Sequence, residues 1–229
     1  MIARRSSSNW ELTVTGTPAH SSQLFTEAVG AGAIYEASRI LTGFYEALSK
    51  EPNLTFNPGL ILGGSALHHD KPMDAGSAEG KANIVSKEVV VTGDIRAMSP
   101  EQLANTQETM RKIVAASLPR TSATISFGEG YPPLAPTDGN YQLLSYFDKV
   151  SKDLGYGPVV AVHPRKAGAA DISFTAGYVD MAMDGLGLGS AGGHTLHEQA
   201  DPRTLSMQAK RAAVLFYRLT RPTKGMTNK

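Results

Sequence analysis

Between residues 8 and 128 the hydrophobic period switches between two and 3.6 in an order that few folds accommodate. Trp10 to Thr15 alternates apolar and polar groups, as a half-buried strand does. Gly16-Thr-Pro-Ala-His20-Ser-Ser ends it, and a helix is predicted over Ala28 to Ser49, with Ile34, Ala37, Leu41, Tyr45 and Leu48 as its apolar stripe. Leu54 to Gly63 reads as a second strand. The polar stretch Ser65 to Lys81 reads as a loop, and Asn83 to Arg96 as a third strand with Val91, Gly93 and Ile95 on one face. Ser99-Pro-Glu-Gln102 is a helix start: a hydroxyl cap, proline at the first helical position, glutamine at the third. That helix is predicted to reach Ser117, and Thr121 to Phe127 alternates again as a fourth strand.

The order is β-α-β-β-α-β, a ferredoxin-like unit of four antiparallel strands with two helices on one face. The fold class expected is therefore α+β over residues 8–128. An unpaired edge strand needs a partner, which a second copy of the chain would supply.

Gly128 to Gly139 is rich in glycine and proline and marks the expected boundary, with a second region over residues 129–221. There the pattern predicts a helix over Tyr141 to Leu154, a strand over Pro158 to His163, a short helix over Ile172 to Ala176 and a strand over Met181 to Gly187. A final helix is predicted over Pro202 to Leu219, with Leu205, Ala209, Ala212, Phe216 and Leu219 along one face. Alternating helices and strands point to part of a layered α/β domain. The tail from Arg221 is expected to be disordered.

Charge bears on partners. A net charge of +1 creates no strong field for nucleic acid or anionic membranes, and no aromatic lies in Val85 to Arg96 on which a base could stack. No nucleic-acid or membrane partner is expected. The chain has no cysteine, so thiolate metal sites and cysteine nucleophiles are excluded. Met1 to Asn9 lacks the apolar core of a signal peptide, and the compartment stays open.

Several polar residues could carry chemistry. His194 stands on a glycine loop, Ser190-Ala-Gly-Gly-His194-Thr-Leu-His-Glu198, between a predicted strand and the last helix. It is a candidate metal ligand, with Glu198 placed to hold its other ring nitrogen; the alternative is a surface histidine. His20 follows a turn and could equally be a surface residue. Asn83 could cap a turn, and Arg96 could simply pair with Asp94.

Four motifs in series resemble one family. Gly16-x-x-Ala-His20-Ser-Ser, Asn83-Ile-Val with Gly93-Asp94-Ile-Arg96, Gly168-Ala-Ala-Asp171, and Gly192-Gly-His194-Thr-x-x-Glu198 are similar to signatures of the zinc aminoacylase/carboxypeptidase family. That family includes glutamate carboxypeptidase, succinyl-diaminopimelate desuccinylase and aminoacylase. The resemblance spans essentially the whole chain. It implies a lid, or dimerisation, domain followed by the C-terminal half of a metallohydrolase catalytic domain, acting on peptides or N-acyl amino acids with a free carboxylate. It implies a homodimer formed through the lid and a site for two zinc ions, with His194 as one ligand. His20 would reach the partner's active site to stabilise the oxyanion, and Asn83 and Arg96 would hold the substrate's backbone and carboxylate. Two metals suit amide hydrolysis because they make hydroxide near neutral pH and polarise the carbonyl.

The resemblance also implies ligands that the sequence does not contain. The family's Glu-Glu pair has no counterpart, since no two acidic residues are adjacent. The one His-x-Asp, His68-His69-Asp70, falls between lid strands where no metal is expected. One histidine cannot hold a catalytic zinc, which takes three protein ligands. The chain alone is therefore expected neither to bind zinc tightly nor to hydrolyse amides. The alternative reading is a non-catalytic dimerisation module.

Overall fold

The computed structural model describes residues 1–193 and 195–221. They divide into two compact units. The larger holds residues 4–134 with 168–174, and the smaller holds residues 1–3, 135–167 and the described residues from 175 onward.

The larger unit contains β1 (Ser8–Gly16), α1 (Gly32–Leu48), β2 (Thr55–Gly64), β3 (Ala66–Asp70), β4 (Ala75–Glu79), β5 (Glu88–Arg96), α2 (Pro100–Ala115) and β6 (Thr121–Phe127). The main sheet has the order β2-β5-β1-β6, and every neighbouring pair is antiparallel. This is the ferredoxin-like arrangement that the order of periods predicts.

Register explains the core. Leu12 stands between Val91 and Ile125, Val14 between Val89 and Ala123, and Trp10 between Gly93 and Phe127. These rows alternate with polar ones, so one sheet face is apolar. Ala33, Ala37, Ile40, Phe44 and Leu48 of α1 pack on it, with Met110 and Val114 of α2. Trp10 meets Phe44 edge to face, ring centroids 5.9 Å apart. Gly93 is fixed by the indole: a Cβ there would lie 2.5 Å from Trp10 Cε2 and 2.0 Å from the Asn57 carbonyl oxygen.

The apolar stripe of α1 is rotated from the expected one. Ile34 and Tyr45 are exposed, whereas Ala33, Ile40 and Phe44 are buried with Glu36. Burial of Glu36 is possible because Arg39 donates to both its carboxylate oxygens, at 2.6 and 3.0 Å, and the Leu118 amide donates at 3.0 Å. The start of α1 is also later than Ala28. Residues 21–31 form turns, and Gly30 has φ +69°, with no room for a Cβ beside the Pro119 carbonyl. The α2 start is as predicted: Ser99 Oγ accepts from the Gln102 amide and Gln102 Oε1 from the Met98 amide.

Two further expectations change here. The stretch 65–81 is no loop: β3 and β4 pair as a hairpin. The third strand begins its ladder at Glu88, because Asn83 and Val85 bond instead to the segment after β1.

The smaller unit contains α3 (Asp138–Asp153), a short hairpin of β7 (Gly189–Ala191) and β8 (Gln199–Asp201), and α4 (Leu205–Leu219). Its core is Ile2, Phe147, Val150, Met183 and Leu215. Buried Asn140 ties it together, donating to the Ile2 and Ala135 carbonyls and accepting from the Ala182 amide at 2.7 Å. The strands expected over 158–163 and 181–187 form no ladder, since no described strand lies beside them. The Val159 amide bonds to Asp148 Oδ1 instead. The face of α4 expected to be buried is exposed at Leu205, Phe216 and Leu219, while Arg211 and Leu215 are buried. Arg211 lies over the Phe147 and Tyr156 rings, at 6.0 and 5.3 Å, which draws that face inward. The predicted short helix near 172 is a 3-10 turn, Asp171–Thr175. The tail beyond Arg221 lies outside the described residues.

The fold class is thus α+β with antiparallel sheets, as the sequence predicts.

Candidate functional site

Beyond β1 the chain crosses to the segment preceding β5. The Val85 amide donates to the Ala19 carbonyl at 2.8 Å, and the Ser21 amide to the Asn83 carbonyl at 2.9 Å. His20 and Ile84 form the bridge between them. Two sequence-predicted residues, His20 and Asn83, are thereby neighbours at the Glu88 end of the sheet.

The orientation of His20 is set locally. Its Nδ1 accepts from the Ser22 amide at 3.2 Å and lies 2.9 Å from Ser22 Oγ. A ring nitrogen that accepts from an amide carries no proton in the neutral imidazole, so the proton sits on Nε2. The exposed ring therefore presents an N–H donor, the group needed to stabilise a developing oxyanion. The Asn83 side chain is exposed beside it.

Arg96 is not brought to this cluster. It ends β5, and eight strand residues at about 3.3 Å each put it roughly 26 Å from Glu88. Its Nε donates to Asp94 Oδ2 at 2.8 Å, and the side chain is 35% exposed. The ion pair anticipated as the alternative is present, and the guanidinium still reaches solvent.

The Gly168–Asp171 turn belongs to the larger unit. Asp171 Oδ1 accepts from the Tyr131 hydroxyl at 3.0 Å, which holds that phenol above its ordinary value, and the Tyr131 ring packs on Phe174. His194, the expected metal ligand, lies outside the described residues; its loop joins β7 to β8, and Gly192 there has φ +67°. Among the described residues no group of three or more His, Asp or Glu side chains is arranged to hold a metal ion. They do not fit a two-zinc site.

A cavity that the sequence did not suggest lies on the outer face of the main sheet, under the β3–β4 hairpin. It has a volume of about 540 Å³ and is lined by Asn9, Glu11, Asn57, His69, Thr92 and Asp94 among others. The alternation of Leu67 and His69 with polar neighbours was the available signal for this hairpin, obscured by the polarity of the whole stretch.

A four-stranded antiparallel sheet with two helices packed on one face defines the class, an α+β domain of ferredoxin-like order, with His20 and Asn83 at one end of its sheet and Arg96 at the other. The pattern of the peptidase dimerisation domain matches residues 2–122, over half the chain, and the chain belongs to that family. Solved structures show the same fold across nearly all of it. Aminopeptidase PepT of Bacillus cereus superposes with a TM-score of 0.68 at 17% identity, over 96% of this chain and 54% of that one. A Staphylococcus aureus tripeptidase gives 0.64 at 17%, over 97% and 54%. A dinuclear metal-binding peptidase of Bacillus subtilis gives 0.63 at 15%, over 94% and 50%. The chain spans about half the length of each.

Proposed function

We propose that this chain forms the dimerising, substrate-clamping part of a two-zinc hydrolase that cleaves peptides or N-acyl amino acids bearing a free carboxylate. In this reading residues 8–128 are the lid and residues 129–221 belong to the catalytic domain. The observation that carries it is the placement of His20, Asn83 and Arg96 on a peptidase dimerisation domain. His20 Nε2–H donates to the oxyanion formed when the amide carbonyl is attacked. The Asn83 amide holds the substrate's backbone, and Arg96 grips its carboxylate in the planar geometry that guanidinium favours. The described residues hold no zinc site, so His194 and ligands beyond them would have to supply it.

The length of β5 supports a second copy as the partner. A fully extended tripeptide spans only about 11 Å, far less than the roughly 26 Å of β5. In this reading His20 and Arg96 of one chain serve different substrates, and each site takes them from two chains. The unpaired edge of β2 offers the surface for pairing. Ile61 on it is 56% exposed, and Ile34 of α1, 50% exposed, lies over its neighbour Gly63.

Zinc content by mass spectrometry, with hydrolysis of a panel of dipeptides and N-acyl amino acids, tests this reading. Less than one zinc per chain and no chelator-sensitive hydrolysis by the chain alone are expected. Two zinc ions with chelator-sensitive turnover would show that the chain is self-sufficient. Turnover unchanged by His20→Ala in an active assembly would remove the assigned chemistry.

A further inference from the structure

Two loops of the larger unit meet at the end of the main sheet where β1 stops and β6 starts. One follows β1 and carries Phe25 and Glu27; the other joins α2 to β6 and carries Pro119 and Arg120. They are tied through the backbone: the Ala31 amide donates to the Pro119 carbonyl at 3.2 Å, and Arg120 Nε to the Glu27 carbonyl at 2.8 Å. Between them and the start of α1 opens a cavity of about 610 Å³, lined by Phe25, Glu27, Tyr35, Leu118, Pro119 and Arg120 among others.

Both loops hold a bulky residue in the left-handed backbone region, Phe25 at φ +69° and Arg120 at φ +59°. Glycine or asparagine takes that conformation at less cost. Burial does not offset the cost, because the Phe25 side chain is 68% exposed. Its ring lies 5.6 Å from that of Tyr35, itself exposed, and the pair forms an apolar wall open to water. Strained backbone that presents an exposed aromatic ring points to a ligand rather than to the core.

Charge narrows the ligand. Arg120 bonds only through Nε, and its two terminal nitrogens have no partner among the described residues. The Glu27 carboxylate has none either, so two opposite charges line one cavity without pairing. The geometry points to a binding site for a free amino acid with an apolar side chain, of the size of leucine or phenylalanine. The side chain packs on Phe25, Tyr35 and Leu118. The α-carboxylate accepts from the Arg120 terminal nitrogens, and the α-ammonium donates to Glu27. A ligand with one charge leaves its counterpart unpaired, and an acidic side chain would be desolvated against the rings. The site is separate from Arg96, which lies at the far end of β5.

Isothermal titration calorimetry on the full chain tests this with four probes: L-phenylalanine, its carboxamide, N-acetyl-L-phenylalanine and L-alanine. Saturable binding of L-phenylalanine is expected, with the carboxamide and the N-acetyl compound each weaker by about tenfold, the loss for one charged hydrogen bond. L-Alanine should not bind. Arg120→Asn should make L-phenylalanine bind no better than its carboxamide, and Glu27→Gln no better than the N-acetyl compound. Phe25→Gly should abolish binding while leaving the thermal midpoint unchanged or higher, since it relieves the left-handed backbone. Absence of saturable L-phenylalanine binding would overturn the site, as would equal affinity for the three phenylalanine probes. A lowered midpoint in Phe25→Gly with binding retained would make Phe25 structural and overturn it too. None of these readouts depends on whether the chain serves a hydrolase.

Discussion

Asn83 sits beside His20 at one end of β5, and Arg96 sits at the other end. The backbone bond from Ser21 to the Asn83 carbonyl fixes the first relationship, and the length of β5 fixes the second. An assembly that hydrolyses amides should show this division in its kinetics. His20→Ala should lower kcat by about a hundredfold to a thousandfold, the usual loss for one oxyanion donor. Arg96→Ala should chiefly raise KM. Mixed dimers of the two variants should regain activity, because one site per dimer then receives both intact residues. No recovery on mixing would mean that His20 and Arg96 act from one chain.

Glu36 and Arg39 predict a feature of acid stability. Burial pushes the Glu36 carboxyl up, but hydrogen bonds from Arg39 and the Leu118 amide, with the guanidinium charge, outweigh it and hold the group below its ordinary value. A depressed carboxylate stabilises the fold above its unfolded value of about 4.3, and the contribution fades as pH falls through the lower folded value. Glu36→Gln should cost about 2 kcal/mol near neutral pH, because it leaves the Arg39 pair broken. Urea midpoints from pH 3 to 7 should show the variant and the unaltered protein converging at the acidic end. A constant gap would contradict the assignment.

Gly93 should tolerate no side chain. Gly93→Ala drives a Cβ into the Trp10 ring and the Asn57 carbonyl, and a loss of about 3 kcal/mol is expected from the strain. Thermal denaturation followed by Trp10 fluorescence reads it directly, since Trp10 is the single tryptophan. An unchanged midpoint would show that β1 and β5 can separate without cost.

The lid was legible because its strands alternate and its helix starts carry their own chemistry, as at Ser99 and Gln102. What escaped was set by tertiary context. The α1 stripe is rotated because Arg39 allows a glutamate to be buried, which a hydrophobicity pattern cannot show. The β3–β4 hairpin, with its inward His69, was hidden by the polarity of the whole stretch. The extended runs at 158–163 and 181–187 look like strands, but strands need neighbours. For the candidate site, the motifs named His20, Asn83 and Arg96, yet only the register of β5 separates Arg96 from the other two.

Self-association through β2 is the most direct test of the account. Size-exclusion chromatography with light scattering at micromolar concentration should return twice the 24.3 kDa chain mass, and Ile61→Lys should return the single-chain mass while remaining folded. A single-chain mass for the unaltered protein would contradict the account.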